Sequence, residues 1–339
     1  PTAGMTQAYT NTYRLNLGEC ARGGFCTGHG CAMDAKATPI STVVPSLFKH
    51  ENFELRTLCN VIRITKDSTG KRATGVVYID ARGREVEQPA DMVVITSYAF
   101  NNARLLLLSG IGKPYDPVSG TGVVGRNYAY QCSSHTRLFF DDQVFNPFMG
   151  GAALGTAIDE FNGDNFDHTG LGFIGGAFIN SYGGGAPPVR VRPVPDGTPA
   201  WGSEWKKAVS KYYARNFSIT AHGGCQSYRT HYLDLDPTYK DAYGLPLIRM
   251  TYDWHDNEKK MSAFLTKKSA EIGKLLNPTH ISAHPVGGKY SIVPYQSTHN
   301  TGGCVMGDNP ATSVVNKYLQ CWDVPNVFVV GGSAFPQNG

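Results

Sequence analysis

Alternating apolar and polar positions in the first third of the chain predict a β-hairpin followed by a strand and a helix. The stretches "NFELRTLCNVIRIT" and "ATGVVYIDARGREVEQ" are rich in β-branched residues, and the polar turn "KDSTGK" separates them. The apolar run "DMVVITS" lacks alternation, which predicts a strand buried on both faces. "NNARLLLLSGIG" predicts a helix that Asn101 or Asn102 caps and that Gly110 ends. This order of elements is typical of an α/β nucleotide-binding layer.

The remainder of the chain combines strands, loops and one strongly amphipathic helix. "TRLFFDD", "GLPLIRMTYDW" and "NVFVVGGSAFP" predict strands, the last of which enters a glycine turn. Residues 183–202 are rich in proline and glycine, which is typical of a loop that lines a surface or a site. The helix is predicted to begin with Asp256 as its cap and to end before Pro278. Its predicted apolar stripe comprises Phe264, Leu265, Ile272, Leu275 and Leu276.

Composition and charge narrow the classes of protein that the chain can represent. Hydrophobic residues at 41% and aromatic residues at 11% are typical of a globular protein, and 339 residues favour about two domains. The net charge of +4 is too small to indicate a nucleic-acid partner. Apolar runs fall short of the roughly 18 residues of a membrane span, and no signal peptide is evident. Because the chain begins at Pro1 and stops just after a strand pattern, we expect a fragment of a longer protein.

One stretch matches the G-x-G-x-x-G pattern of dinucleotide-binding loops, namely "GTGVVG" at residues 120–125. A loop that cradles phosphates follows a strand directly and opens a helix on its last glycine. Here "KPYDPVS" precedes it and "RNYAYQ" follows it, so we reject this interpretation. We expect any true fingerprint to lie before Pro1.

Three cysteines, Cys20, Cys26 and Cys31, cluster in the Gly-rich stretch "CARGGFCTGHGC" together with His29. An odd number of thiols in so short a loop argues against a disulfide within it, although Cys59 is available as a partner. The spacing differs from paired zinc knuckles, but His29 would complete four zinc ligands. Three thiolates also suit an iron–sulfur cluster. From the residues alone, a cluster, a zinc site and structural thiols all stay open.

His299 lies in "YQSTHNTGGCVMG", between small polar residues and a Gly-Gly turn. This setting is typical of an exposed loop, and histidine serves as a general base because its ordinary pKa is near neutrality. The alternative is a loop histidine that only hydrogen-bonds backbone. The residues alone do not decide between the two.

Taken together, these stretches resemble the glucose–methanol–choline (GMC) family of flavoprotein oxidoreductases. "DMVVITSYAFNNARLLLLSGIG" and "VVGRN" are similar to the family's second signature and the segment that follows it. "STHNTGGCVMG" and "TSVVNKYLQCWDVPNVFVVGGSAFPQN" are similar to the branch of the bacterial gluconate 2-dehydrogenase large subunit, as is "YLDLDPTYKDAYGLPLIRMTYDWHDNE". The resemblance runs from about Cys20 to the last residue.

The resemblance implies an FAD-dependent dehydrogenase that oxidises gluconate to 2-ketogluconate. The alternative substrates within the family are sugars or polyols, namely glucose, sorbitol or 2-ketogluconate. A non-catalytic metal-binding or electron-transfer module is the rival from another class. The implied fold is a partial Rossmann-like FAD lobe, residues 1–134 and 291–339, around a substrate lobe, residues 135–290, with an antiparallel sheet and helices. The iron–sulfur loop occupies residues 20–31 of the FAD lobe.

The same resemblance implies two cofactors. Relatives in this branch hold a [3Fe–4S] cluster with three cysteines of this loop, which implies Cys20, Cys26 and Cys31 as ligands and leaves His29 nearby but unbound. Many relatives carry Asp or Ala at the position of Gly332, so only a backbone contact to FAD is expected there. The implied FAD contacts are Val61 at the adenine, and Thr96, Ser97, Gly331, Gly332 and Ser333 along the pyrophosphate and ribityl chain.

His299 matches the family's catalytic histidine, whose implied role is to take the substrate hydroxyl proton while a hydride passes to the flavin. Relatives place a second His or Asn in an N-P segment just beyond "FPQN", so Asn338 is not assigned that role. A cluster beside the flavin implies electron transfer to another redox protein. The resemblance implies a multihaem cytochrome c subunit, a small subunit that carries the export signal, and a location at the periplasmic face of the inner membrane.

Overall fold

The computed structural model describes residues 9–10, 16–23, 30–148, 155–182, 192–293 and 299–338. Its strands are β1 (Tyr9–Thr10), β2 (Asn16–Leu17), β3 (Asn60–Lys66), β4 (Ala73–Ile79), β5 (Glu85–Pro89), β6 (Val93–Ile95), β7 (Cys132–Phe139), β8 (Gly155–Ile158), β9 (Ala177–Tyr182), β10 (Asn216–Gly223), β11 (Tyr232–Lys240), β12 (Pro246–Thr251), β13 (His280–His284) and β14 (Val327–Val329). Its helices are α1 (Pro39–Thr42), α2 (Val44–Leu47), α3 (Ala99–Leu108), α4 (Ser203–Tyr212) and α5 (Asp256–Lys274).

The predicted hairpin is confirmed and carries one more strand. β3 and β4 pair antiparallel, and β5 adds to β4 to give a three-stranded sheet. The stretch after β4 turns back because Gly83, at φ +76°, donates its N–H to the Asp80 carbonyl at 2.9 Å. A short turn of this kind divides what the alternation alone suggested was one strand.

The strand β6 is confirmed, but the prediction that both of its faces are buried is wrong. Val93 and Ile95 are buried, whereas Val94 between them is 54% exposed. β6 pairs in parallel with β14 in a two-stranded sheet whose inner face packs on the core of α3. Because its outer face meets no second layer within the described residues, the strand alternates despite its uniformly apolar sequence.

The helix α3 ends as predicted but begins differently. Gly110 follows the helix at φ +58°, a conformation that glycine adopts without strain. The prediction that Asn101 or Asn102 caps the helix is wrong, since the cap position is Tyr98, at φ +78°. Asn102 lies inside the helix, buried, and its Oδ1 accepts the Ser97 N–H at 2.7 Å.

An antiparallel sheet of five strands, in the order β13-β7-β10-β9-β8, forms the second part of the fold. α5 covers one face of it with Met261 and Leu265, and a side chain at Gly273 would lie 2.7 Å from Leu138 Cδ2. The predicted helix is confirmed, and the mixed α/β class with an antiparallel sheet is confirmed with it.

Two details predicted for α5 are wrong. His255 occupies the cap position, while Asp256 is the first helical residue and makes no capping hydrogen bond. Leu275 and Leu276 are 80% and 46% exposed, because the helix ends at Lys274 and both leucines lie past the covered sheet. The buried stripe ends with Gly273.

The "GTGVVG" stretch is a loop that packs on the remainder of the core. Val124 forms a parallel bridge with Pro114, and no helix follows Gly125 within residues 126–131. Gly125, at φ +94°, donates its N–H to the Gly303 carbonyl at 2.7 Å, and a Cβ there would lie 1.9 Å from the Leu233 oxygen. Glycine is required at position 125 because a side chain would collide with the Leu233 backbone. This structural role agrees with the rejection of a phosphate loop.

The predicted lobe boundaries at residues 134 and 290 stay predictions. The five-stranded sheet runs from Cys132 to His284, and residues 183–191 of the Pro/Gly-rich stretch lie outside the described residues. Over the described parts of the chain, no helix is both long and apolar enough to cross a membrane.

Candidate active site at the ends of two parallel strands

The carboxyl ends of β6 and β14 bring two turns to one edge of the fold. The strands pair in parallel register, with Val93 opposite Val327 and Ile95 opposite Val329. The predicted FAD residues Thr96 and Ser97 follow β6, while Gly331–Ser333 follow β14. In α/β proteins, ligands bind outside the carboxyl ends of parallel strands.

Asn102 joins these two turns. Its Oδ1 accepts the Ser97 N–H at 2.7 Å, and its Nδ2 donates to Ser333 Oγ at 2.8 Å and to the Val330 carbonyl at 3.2 Å. The Asn102 residue is only 1% exposed, and its bond to Ser333 Oγ is buried and shielded from water. The backbone at Ser97 is therefore fixed relative to Ser333.

Gly332 lies where the turn after β14 meets the histidine loop. A Cβ at Gly332 would lie 2.7 Å from the Asn300 carbonyl oxygen. Its own carbonyl accepts the Gly302 N–H at 3.1 Å, and the Cys304 N–H donates to the Ser333 carbonyl at 3.0 Å. The turn and the histidine loop thus approach closely enough that a side chain would have to push them apart.

His299 is exposed, and the loop that carries it is anchored at several points. Its carbonyl accepts a hydrogen bond from Asn338 Nδ2 at 2.8 Å, and Asn338 is buried. Thr301 exchanges two backbone hydrogen bonds with Ala129, at 2.9 and 3.1 Å. Gly302 adopts φ +78°, and a Cβ there would lie 1.9 Å from the Asn127 carbonyl oxygen. The loop fixes the backbone of a histidine whose ring stays accessible.

Asn300 links the histidine loop to the turn after β6. Its buried side chain donates to the Tyr98 hydroxyl, and its Oδ1 accepts from the Tyr128 hydroxyl. Tyr98 directly follows Ser97, so a hydrogen-bonded path runs from the predicted cofactor residues to the neighbour of His299.

The sequence interpretation missed several of these supporting residues. For Asn102 a signal was present, since a polar residue on the apolar side of a helix is costly unless it bonds within the fold. Asn338 was given no role from the sequence, and the structure shows that its side chain donates a hydrogen bond to the His299 carbonyl. No sequence pattern distinguishes Tyr98 or Asn300 from other loop residues.

One face of the five-stranded sheet carries polar side chains, among them His222 and Ser133. His222, on β10, lies near enough that the charge of His299 depresses its pKa. That pKa falls to about 4, chiefly because of desolvation and then because of His135 and His299. His222 Nδ1 is 3.3 Å from Ser133 Oγ, and its ring stacks on Phe178 with centroids 5.0 Å apart. The backbone pairing of Thr301 with Ala129, three residues before β7, places the histidine loop near the start of that strand.

The cysteine loop is described only in part. Cys20 and Cys31 are free, half-buried thiols, whereas Cys26 and His29 lie outside the described residues. The Arg22 N–H donates to Cys20 Sγ at 3.3 Å. Desolvation raises the pKa of the Cys31 thiol, but backbone N–H groups, among them those of Met33 and Ala35, outweigh it and lower that pKa overall. The two described sulfurs are thus met by backbone donors.

Val61 is the predicted FAD residue that the structure does not join to the others. It is 41% exposed on β3, opposite Tyr78. β3 is attached to the end of α3, where the Ile64 N–H donates to Ser109 Oγ at 2.9 Å. Between the described residues, no hydrogen bond connects Val61 with either turn at the strand ends, and its adenine contact stays a prediction.

Comparison with known proteins agrees with the resemblance over nearly the whole chain. Two family models, both described as GMC oxidoreductase, match residues 2–132 and 229–339. The chain is 49% identical over 340 residues to the gluconate 2-dehydrogenase flavoprotein of Pantoea cypripedii, covering 99% of this chain and 55% of the relative. It is 29% identical to 2-methyl-1,2-propanediol dehydrogenase of Mycolicibacterium austroafricanum, covering 84% and 50%.

A solved structure shares the fold. Pyridoxine 4-oxidase from Mesorbium loti superposes with a TM-score of 0.56 at 16% sequence identity, covering 91% of this chain and 58% of that one. The chain spans about half the length of the relatives that it matches. With both family models and this identity, the chain belongs to the GMC oxidoreductase family.

Proposed function

We propose that the chain is part of an FAD-dependent dehydrogenase that oxidises a secondary alcohol of a sugar acid, converting gluconate to 2-ketogluconate. The observation that carries the proposal is the position of His299, exposed on a loop that is anchored to the same strand ends as the predicted FAD residues. The 49% identity to a gluconate 2-dehydrogenase flavoprotein supports a sugar acid as substrate.

The strand ends fit FAD on two observations. Thr96 and Ser97 are exposed, so their polar groups are available to a ligand. Gly331 is exposed at φ +103°, and among the described residues no atom beyond its two chain neighbours lies within 4 Å of the position that its Cβ would take, so a cofactor has room to approach the backbone. Together with Ser333, these residues would hold the pyrophosphate and ribityl chain, and the backbone of Val61 would meet the adenine. Bound flavin supplies the hydride acceptor of the reaction.

His299 would take the proton from the substrate hydroxyl. Proton removal gives the carbinol oxygen alkoxide character, which makes its carbon a better hydride donor. General-base catalysis of this kind contributes about 10²- to 10⁴-fold to the rate. Asn338 and Asn300 hold the loop, so that the imidazole is positioned before the substrate arrives.

Cys20, Cys26 and Cys31 would hold a [3Fe–4S] cluster, which would supply a one-electron acceptor. The backbone N–H groups directed at Cys20 and Cys31 support this, since such hydrogen bonds stabilise thiolate ligands and tune a cluster's potential. The partners we propose are a multihaem cytochrome c and a small subunit with the export signal, at the periplasmic face of the inner membrane. The resemblance of the cysteine loop to this branch of the family supports them.

The test uses the full-length holoenzyme purified with its partner subunits and mixed with substrate without oxygen. We expect gluconate to bleach the flavin absorbance, and electron paramagnetic resonance to show a [3Fe–4S] signal. Bleaching by glucose or sorbitol but by no sugar acid would contradict the proposed substrate. A flavin that no alcohol reduces would favour an electron-transfer module in place of an enzyme.

A further inference from the structure

Tyr98 adopts a backbone conformation that disfavours any side chain. It follows the predicted FAD residue Ser97 directly, at φ +78° and ψ +155°. Glycine populates this region almost exclusively, because it has no Cβ to crowd the backbone. Among the described residues, the other non-glycine positions with positive φ lie between +50° and +64°. A strained position of this kind persists where the surrounding structure imposes it, and such positions concentrate at ligand sites.

The side chain of Tyr98 belongs to a closed circuit of four residues. Its hydroxyl accepts a hydrogen bond from Asn300 Nδ2, and its ring packs edge-on against Phe100, with centroids 5.8 Å apart. Phe100 stacks on Tyr128 with centroids 5.4 Å apart, and the Tyr128 hydroxyl donates to Asn300 Oδ1. Tyr128 and Asn300 are buried. The circuit therefore holds the Tyr98 side chain at both its ring and its hydroxyl.

Tyr98 is the most exposed residue of the circuit, at 41%. It continues directly from Thr96 and Ser97, which are exposed at the end of β6. Its hydroxyl bonds to Asn300, the neighbour of the exposed His299. The exposed phenol therefore joins the predicted cofactor turn to the loop of the predicted general base.

We propose that Tyr98 packs its exposed ring against bound FAD, while its hydroxyl positions the His299 loop relative to the cofactor. This inference rests on the proposed function and adds a residue that couples the flavin to the general base. An aromatic ring suits contact with the flavin because aromatic pairs attract one another beyond their burial of area. Glycine would relieve the backbone at position 98 but would provide neither contact, so the two contacts offset the cost of the strained tyrosine.

The first test measures FAD binding without any substrate. Flavin is removed from the full-length protein purified with its partner subunits, and FAD is added back in a titration. For Tyr98→Gly we expect the Kd of FAD to rise by roughly 5- to 10-fold, the range of an aromatic contact, although glycine suits the backbone better. Tyr98→Phe keeps the ring, so its Kd should stay within about twofold of the wild type.

The second test measures the rate of anaerobic flavin reduction as a function of gluconate concentration. Tyr98→Phe loses the hydrogen bond to Asn300, so we expect the rate constant at saturation to fall by roughly 3- to 10-fold. KM should change by less than about twofold, because the hydroxyl acts on the loop of the general base and not on substrate binding. Tyr243→Gly and Tyr243→Phe, at an exposed tyrosine between β11 and β12, are the matched controls and should change neither the Kd nor the rate.

A Tyr98→Gly protein that binds FAD as tightly as the wild type would show that Tyr98 does not contact the cofactor. A Tyr98→Phe enzyme that gluconate reduces at the wild-type rate would show that the hydroxyl does not position the loop. Either result overturns the inference and leaves the proposed function standing. Melting temperature is measured for each variant, and if Tyr98→Gly does not fold, Tyr98→Leu, which removes the ring but keeps a side chain of similar bulk, decides by the same Kd.

The two tests also separate this inference from the proposed function. A wild-type complex that binds FAD but oxidises no sugar acid would refute the proposed substrate, and the FAD titration would still decide whether Tyr98 contacts the cofactor. A wild-type complex that binds no FAD would refute the proposed function and the inference together.

Discussion

Asn102 donates a hydrogen bond from Nδ2 to the Ser333 hydroxyl across 2.8 Å, although 231 residues separate the two along the chain. The bond joins the turn after β6 to the turn after β14. Since both turns carry predicted FAD contacts, the cofactor edge depends on a residue that does not itself face the cofactor.

Replacing Asn102 tests whether it holds the turns after β6 and β14 together. Asn102→Ala removes three hydrogen bonds, of which two are part-buried and the one to Ser333 is buried, and a buried group left without its partner costs about 1–3 kcal/mol. We expect the free energy of unfolding to fall by roughly 2–4 kcal/mol, and the flavin content of the purified enzyme to fall with it. Asn101→Ala, at an exposed position of the same helix, is the control. Similar losses in both variants would contradict a role for the Asn102 amide.

Asn338 offers a separate test of how His299 is held. Asn338→Ala removes the hydrogen bond to the His299 carbonyl, so the loop loses one of its anchors. We expect the rate of flavin reduction by gluconate to fall about tenfold, which corresponds to about 1.4 kcal/mol, with flavin content unchanged. Gln337→Ala alters the exposed neighbour and should leave the rate unchanged. A loss of flavin in place of a slower rate would show that Asn338 supports the cofactor edge instead.

His231 predicts how stability depends on pH. The residue is 2% exposed, and desolvation, followed by the nearby His255, lowers its pKa to about 4 in the folded protein. The unfolded chain, with an ordinary pKa of about 6.5, binds the proton first as the pH falls. The contribution of His231 to the free energy of unfolding is therefore complete above pH 6.5. It is lost as the pH falls from 6.5 to 4, and the loss is on the order of 2–3 kcal/mol.

Chemical denaturation at a series of pH values measures this effect. The free energy of unfolding should decrease toward pH 4 more steeply in the wild type than in His231→Gln. His50→Gln, at an exposed histidine, should keep the wild-type slope. Parallel slopes in all three proteins would show that other groups govern the acid response.

If the cysteine loop binds a cluster, the loss of iron should depend on which cysteine is replaced. Cys20→Ser and Cys31→Ser should each lower the iron content of the holoenzyme and abolish the [3Fe–4S] signal, because serine is a poor ligand for such a cluster. Cys59→Ser, at a half-buried free thiol outside the loop, should leave both unchanged. Stoichiometric zinc in the wild type, or iron that survives either substitution, would contradict the cluster.

Local patterns were sufficient to predict the hairpin of β3 and β4, the helix α5 and the strand β14, since each has a clear period and a clear end. They failed where tertiary contacts decide. Val94 is exposed because no layer covers its side of β6 within the described residues. Asn102 lies inside the helix, where its amide bonds to Ser97 and Ser333. The exposure of Val94 is not encoded within its segment. The segment of α3 signals that Asn102 must bond within the fold, but it does not identify Ser97 and Ser333 as the partners.

In the site, too, local motifs predict some residues, and tertiary contacts determine the others. The resemblance of short motifs predicts the turns at Ser97 and Ser333, and the structure brings these turns together. The catalytic role of His299 stays a prediction. The residues that support them, Tyr98 and Asn300, come from segments about 200 positions apart in sequence, as their hydrogen bond shows. Only the folded chain reveals such pairs, because no local period or spacing relates them.

The most direct test of the account is the rate of anaerobic flavin reduction by gluconate in the full-length His299→Asn holoenzyme. If His299 takes the substrate proton, the rate constant falls by about 10²- to 10⁴-fold while flavin content and melting temperature stay at wild-type values. A rate constant equal to that of the wild type would contradict the account and leave His299 as a loop residue.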